Sequence, residues 1–236
     1  MEENKIEWSN DRAKRMMLWM GVASIAMFFA AFTSAYVVLQ ADHFWVKDQL
    51  PNMLFYSTII ILLSSVTIFL AKRSIEAGNS SAMKSWLVIT LMLGLGFSAV
   101  QYLGWSEMRS EGKYFRSNIS DLTGEYGTDY VILMKGEPLL FDQGNFYKPG
   151  DINFLEPINE RINDTFNVSA SLLYILSGLH MLHLLGGILW LFVLLVKSFS
   201  GAITQQNLLP LELGSIYWHF LDILWIYLFV FLLLIR

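Results

Sequence analysis

Four side chains in the apolar part of the chain are able to hold a proton or a metal ion. His219 and Asp222 lie in IYWHFLDILWIYLF (216–229), and His180 and His183 lie in HMLHLLGG (180–187). The members of each pair are three positions apart, so on a helix they share a face and can reach each other. Ionisable groups at bilayer depth are costly and are kept where they are paired or useful.

Three readings stand side by side. The four residues can satisfy one another and main-chain carbonyls, and so lock helix packing. Three imidazoles and a carboxylate can bind iron, copper or zinc, or two histidines can hold a haem. The group can also relay protons, because histidine titrates near neutral pH. Histidines at i and i+3 of one helix cannot both be axial ligands of one iron, which weakens the haem reading. The spans contain too few further acids to line a proton path, which weakens the relay.

The elements that carry these residues are membrane spans. Of 236 residues, 55% are hydrophobic and 15% charged, against roughly 45–50% and 25% in a soluble domain. There is no cysteine, which rules out disulfides and thiolate metal sites held by this chain. No basic stripe or basic-aromatic platform points to nucleic acid. The first apolar run is too long for a signal-peptide core and reads as an uncleaved span.

A helix needs about 20 apolar residues to cross a bilayer. Five stretches qualify, at 16–39, 53–71, 86–105, 170–196 and 217–235. They predict an all-α, polytopic single membrane domain over 1–236. The positive-inside rule orients it N-in and C-out, with Lys5, Arg12, Lys14, Arg15, Lys72, Arg73, Lys84 and Lys197 on inner segments. At 1.5 Å per residue, His183 and Asp222 both fall about 20 Å from the outer ends of their spans.

Residues 109–167 form one long outside loop with ten acids and six bases. Tyr130–Met134 and Leu139–Phe141, separated by Lys-Gly-Glu-Pro, predict a small β-hairpin. Tyr114, Phe115, Tyr126, Phe146 and Tyr147 are read as surface-covering aromatics that dock a partner.

Small residues at four-residue spacing (Ala26, Ala30 and Ser34; Gly94 and Ser98), and Gly178, Gly186 and Gly187, are read as packing devices. Trp86, Trp105, Trp190, Trp218 and Trp225 are read as anchors at span ends or lipid faces, and Gln101 and Glu107 as packing or interfacial groups. Lys72, Arg73 and Lys84, at the inner ends of the second and third spans, are able to meet lipid phosphates.

SLLYILSGLHMLHLLGG (171–187) followed by YWHFLDILWIYLF (217–229) resembles subunit III of the haem-copper terminal oxidases. VQYLGWSEM (100–108) is similar to the family's Leu-Gln-x-x-Glu stretch, and MFFAAFTSAY (27–36) to its aromatic-rich helix. The resemblance covers all five spans and implies a short, five-helix bacterial form in the cytoplasmic (inner) membrane. It implies no metal in this chain, with haem and copper in the partner subunits I and II, and bound phospholipid in a cleft facing subunit I.

The reaction is then the complex's own: four electrons reduce O₂ to water while protons are pumped. This chain would stabilise subunit I and support proton uptake without being catalytic itself. His180, His183, His219 and Asp222 become a structural polar network. The acidic loop favours cytochrome c, or another respiratory complex, as a partner.

There are two departures from the family. Ile25 falls where the family has a buried glutamate, and the 109–167 loop is longer than the family's connection. The rival readings are a subunit III-like protein of a quinol oxidase or nitric oxide reductase, and an independent membrane haem or metal protein.

Overall fold

The computed structural model describes residues 2–42, 44–48, 51–110, 124–165 and 168–235. Tyr114, Phe115, Thr123 and Arg236 lie outside them.

Among the described residues, six helices and five strands follow in the order α1 (Glu2–Asp42), β1 (Phe44–Asp48), α2 (Asn52–Glu76), α3 (Ser80–Ser110), β2 (Tyr130–Met134), β3 (Glu137–Pro138), β4 (Leu140–Asp142), β5 (Asn145–Tyr147), α4 (Asn159–Thr165), α5 (Val168–Phe199) and α6 (Leu209–Ile235). Every helix except the short α4 is long and apolar enough to cross a membrane, so five spans stand where the sequence places five. This is a multi-pass helical protein. The helices overrun the apolar stretches because polar residues at their ends go on forming backbone bonds in the aqueous layer.

The chain divides into two compact units. The first comprises Met1–Phe29, Phe55–Val100 and Leu179–Tyr227. Its connections are short and hydrogen-bonded. After α2, Gly78 N donates to Ile75 O (2.9 Å) and Asn79 N to Ser74 O (2.9 Å), closing the helix with paired bonds to its last carbonyls. Asn79 then caps α3, its Oδ1 accepting from Ala82 N at 2.9 Å. Gln205, in the α5–α6 connection, donates to Glu76 O at 3.1 Å.

Close helix packing rests on glycine. A Cβ at Gly94 would lie 2.8 Å from the Trp218 ring, and one at Gly187 would lie 3.0 Å from Leu221. Gly214, which the sequence reading does not single out, sits closer still to Leu194 and Trp190. Gly178 has open space where its Cβ would be, and Ala26, Ala30 and Ser34 are exposed.

The second unit comprises Ala30–Leu54, Gln101–Gly178 and Leu228–Arg236. Its polar ties include Gln40 Nε2 donating to Ile235 O (2.6 Å) and Trp105 Nε1 donating to Ser177 Oγ (3.1 Å). Gln101 is buried and neither of its amide atoms finds a partner among the described residues.

The predicted hairpin is present but paired differently. Tyr130–Met134 is β2, as expected, yet its long partner is β1, with Phe44 opposite Met134 and Asp48 opposite Tyr130. The strand that follows the Lys135-Gly136 turn is only Glu137–Pro138. Leu140–Asp142 pairs instead with Asn145–Tyr147. Both turns have two central residues at positive φ, Lys135 (54°) with Gly136 (86°) and Gln143 (46°) with Gly144 (86°). That geometry matches the right-handed twist of tight hairpins, and glycine supplies its second position without strain.

The loop aromatics are also placed differently from the expectation. Phe146 is buried with Ile132, Leu139, Ile158 and Ile162, with Tyr126 and Tyr130 packed on this cluster. Tyr126 donates to Leu139 O (2.8 Å) and Ile132 O (3.3 Å). Burial pushes the Tyr126 and Tyr130 phenols above their ordinary value of 10.0. Tyr126 and Phe146 thus build the loop's own core, and Tyr147 is buried as well.

Candidate functional site: the polar residues of the apolar helices

All four predicted site residues belong to the first unit, on α5 and α6. Their hydrogen bonds run mostly to main chain. His180 is fully buried, and its Nε2 donates to Leu221 O on α6 at 3.1 Å. The ring lies 4.9 Å from the Trp225 indole and 5.9 Å from Phe97. Its Nδ1 has no partner among the described residues.

His183 turns its Nδ1–H back to Leu179 O, 2.7 Å away on its own helix. Its own main-chain oxygen accepts from Tyr217 Oη on α6 at 3.2 Å. Each fourth-span histidine therefore lies at one α5–α6 tie, and in both ties a carbonyl is the acceptor.

His219 pairs with Ser65 of α2, Nδ1 to Oγ at 2.7 Å. Asp222 is 2% exposed and its Oδ2 lies 4.0 Å from the same Nδ1. Ser65 is also beside this carboxyl, but its hydroxyl aligns with the imidazole. Neither Asp222 oxygen has a hydrogen-bond partner among the described residues.

The indoles of α6 complete the arrangement. Trp218 Nε1 donates to Ser64 Oγ (2.9 Å) and Trp225 Nε1 to Thr58 Oγ1 (3.1 Å), both on α2. Both rings are buried, which corrects their reading as membrane anchors. Trp218, Asp222 and Trp225 occupy i, i+4 and i+7, so Asp222 shares the inward stripe. That spacing was the signal available for the indoles. Thr67 and Thr90 add a hydroxyl pair at 2.8 Å between α2 and α3.

Among the described residues no group of three or more His, Asp or Glu is arranged to hold a metal ion. His180 reaches from α5 to α6 and His219 from α6 to α2, while His183 bonds within α5 and Asp222 has no hydrogen-bond partner among the described residues.

Lys72, Arg73 and Lys84 stand near the ends of α2 and α3. Lys72 is 4.0 Å from Glu76, Lys84 lies 5.4 Å over the Phe199 ring, and Arg73 is exposed in the last turn of α2. Arg15 of α1 pairs with Glu212 of α6 at 2.5 Å. Beside it, Leu18, Gly186, Trp190, Leu213 and Tyr217 line an apolar cavity of about 300 Å³.

Residues 153–235, which carry this whole α5–α6 arrangement, match the family model described as cytochrome c oxidase subunit III. The chain is similar to subunit 3 of cytochrome c and quinol oxidases. It is 24% identical over 220 residues to a cytochrome c oxidase subunit 3 of Alkalihalophilus pseudofirmus, covering 92% of this chain and 84% of that one. A cytochrome bo(3) ubiquinol oxidase subunit 3 of Pseudomonas aeruginosa is 26% identical over 216 residues, covering 89% and 79%. A quinol oxidase subunit 3 of Bacillus spizizenii is 23% identical over 210 residues, covering 88% and 79%. The relatives carry both donor types in their names, so oxidase subunit III is the level at which they agree.

Proposed function

We propose that this chain is the non-redox subunit III of an aerobic haem-copper oxidase, holding subunit I in its working state without taking part in electron transfer. The observation that carries this reading is that His180 Nε2 reaches Leu221 O and Tyr217 Oη reaches His183 O between α5 and α6, within the segment that matches the family model, while His219 reaches Ser65 of α2. A redox centre needs its ligands aimed at one point, whereas these are aimed at carbonyls and a hydroxyl. On this reading haem and copper sit in subunits I and II, and this chain contributes a rigid wall, lipid contacts and support for proton uptake.

The same reading orients the chain N-in and C-out in a bacterial cytoplasmic membrane, with 109–167 outside. Its support is the inner placement of eight lysines and arginines. The acidic balance of that loop favours cytochrome c over quinol as donor, because a basic donor is steered by negative potential. The quinol reading draws on the names of two of the three relatives above. Lys72, Arg73 and Lys84 take the lipid headgroups.

The test is oxygen consumption by membranes from a strain lacking this chain. The haem spectrum should persist while turnover decays faster than in the parent strain. Loss of the haem signal in proportion to the missing chain would overturn the proposal.

A further inference from the structure

Not every apolar side chain described in the loop is covered. Between β5 and α4, Ile152 and Leu155 are 79% and 74% exposed, with Phe154 packed against Tyr147 at 5.0 Å. These side chains do not sit on a slack segment. Asp151 N donates to Lys148 O (3.1 Å) and Phe154 N to Asp151 O (3.2 Å). The Asp151 carboxylate accepts from Leu155 N (3.2 Å) and Glu156 N (3.3 Å).

Both ends are pinned. Ile158 N donates to Phe146 O at 2.9 Å, and Asn159 Oδ1 accepts from Phe146 N at 2.8 Å. Phe154 is held at φ 52°, a left-handed conformation that costs a non-glycine residue free energy. A self-tied turn thus spends strain to present two aliphatic side chains to water.

We propose that this turn, Lys148 to Glu156, is a docking knob for a protein whose surface carries an apolar depression ringed by lysine and arginine. The charge around the knob selects that occupant. Across residues 124–165 eight acids stand against three bases, and the ammonium of Lys148 lies 3.8 Å from Glu156. Anionic headgroups would be repelled by Asp151, Glu156 and Glu160, which disfavours insertion into a lipid surface. A second copy of the same turn would bring like charges together. A basic rim gains at every one of these positions while Ile152 and Leu155 fill its centre. This deepens, and rests on, the reading of the loop as the partner-facing part of an oxidase subunit.

The experiment places a photo-crosslinking amino acid at Ile152 or Leu155 of the full-length chain in native membranes. Both side chains are solvent-facing, so the substitution leaves the fold intact, and exposed Thr128 serves as the control position. The expected result is a crosslink from 152 and 155, but not from 128, to a second polypeptide at a peptide flanked by Lys and Arg. Its yield should fall severalfold in the double variant Glu156→Lys, Glu160→Lys and in high salt. Crosslinks to phospholipid, to a second copy of this chain or to its own residues 111–123 would overturn the proposal, as would none at all. If subunits I and II copurify with the chain and Ile152 stays dark, only the docking inference fails. If they do not copurify, the subunit reading fails with it.

Discussion

His180 on α5 donates its Nε2–H to the main-chain oxygen of Leu221 on α6, 3.1 Å away and fully out of solvent. A side chain reaching the carbonyl of a neighbouring helix is a strong tie in an apolar medium, because the alternative is a buried polar group with nothing to bond. His180→Ala removes that donor and leaves a gap beside Phe97 and Trp225. The expected cost is about 1–3 kcal/mol. It should appear as a lower melting temperature of the purified complex, compared with a control Ile223→Ala at an exposed position of α6. Equal melting of the two variants would show that the bond carries nothing.

Gly94 and Trp218 are fitted to each other. A methyl at 94 would stand 2.8 Å from the indole, whose own N–H is committed to Ser64 and holds the ring in place. Gly94→Ala should destabilise by about 1–3 kcal/mol through overpacking. Trp218→Phe opens that space at the cost of the Ser64 bond, so the double variant should be less unstable than the sum of the singles. Strict additivity in thermal melts would separate the two residues.

The extramembrane core should loosen at alkaline pH. The Tyr126 phenol is held above 10.0 by burial, so the folded loop keeps its proton at a pH where the unfolded loop has lost it. Stability from this group is therefore complete below pH 10.0 and drains away as pH rises through the higher folded value. Proteolysis within 124–165 should accelerate above about pH 10. Tyr126→Phe should be cut faster at neutral pH, having lost bonds to Ile132 and Leu139, but its cleavage should rise less steeply with pH. A variant that kept the wild-type pH profile would assign the alkaline loosening elsewhere.

If Lys72 and Arg73 hold lipid phosphates, neutralising both as Lys72→Gln and Arg73→Gln should reduce the phospholipid retained by the intact complex in native mass spectrometry. Lys84→Gln should have a smaller effect, since the Phe199 ring already engages that ammonium. Unchanged lipid in the double variant would leave these bases as topology signals alone.

The spans were legible because a bilayer dictates length and apolarity, and no tertiary contact is needed to read either. Tyr130–Met134 was legible for a similar local reason, as a run of β-formers before a Lys-Gly turn. Its partner was not. Phe44, Trp45 and Val46 are strand-forming residues, but they sit in a connection short enough to pass as a turn, and pairing across more than eighty residues leaves no local mark.

The polar site was half visible. Residue type and spacing singled out His180, His183, His219 and Asp222, while their bonding partners, Leu221 O, Leu179 O and Ser65, are set by which helices touch. Trp218 and Trp225 were misassigned because tryptophan in a span is usually interfacial. Their seven-residue spacing about Asp222 would have placed them inside. Phe146 and Tyr147 were misread in the opposite sense, because a long loop that builds its own core hides aromatics that a solvated loop would expose.

The most direct test of the whole account is to purify this chain in mild detergent, identify what comes with it by mass spectrometry, and record the optical spectrum of the chain after it is separated. Oxidase subunits I and II are expected to copurify, with every haem absorption band staying with them once the complex is split. A chain that purifies alone and carries its own Soret band or stoichiometric metal would contradict it.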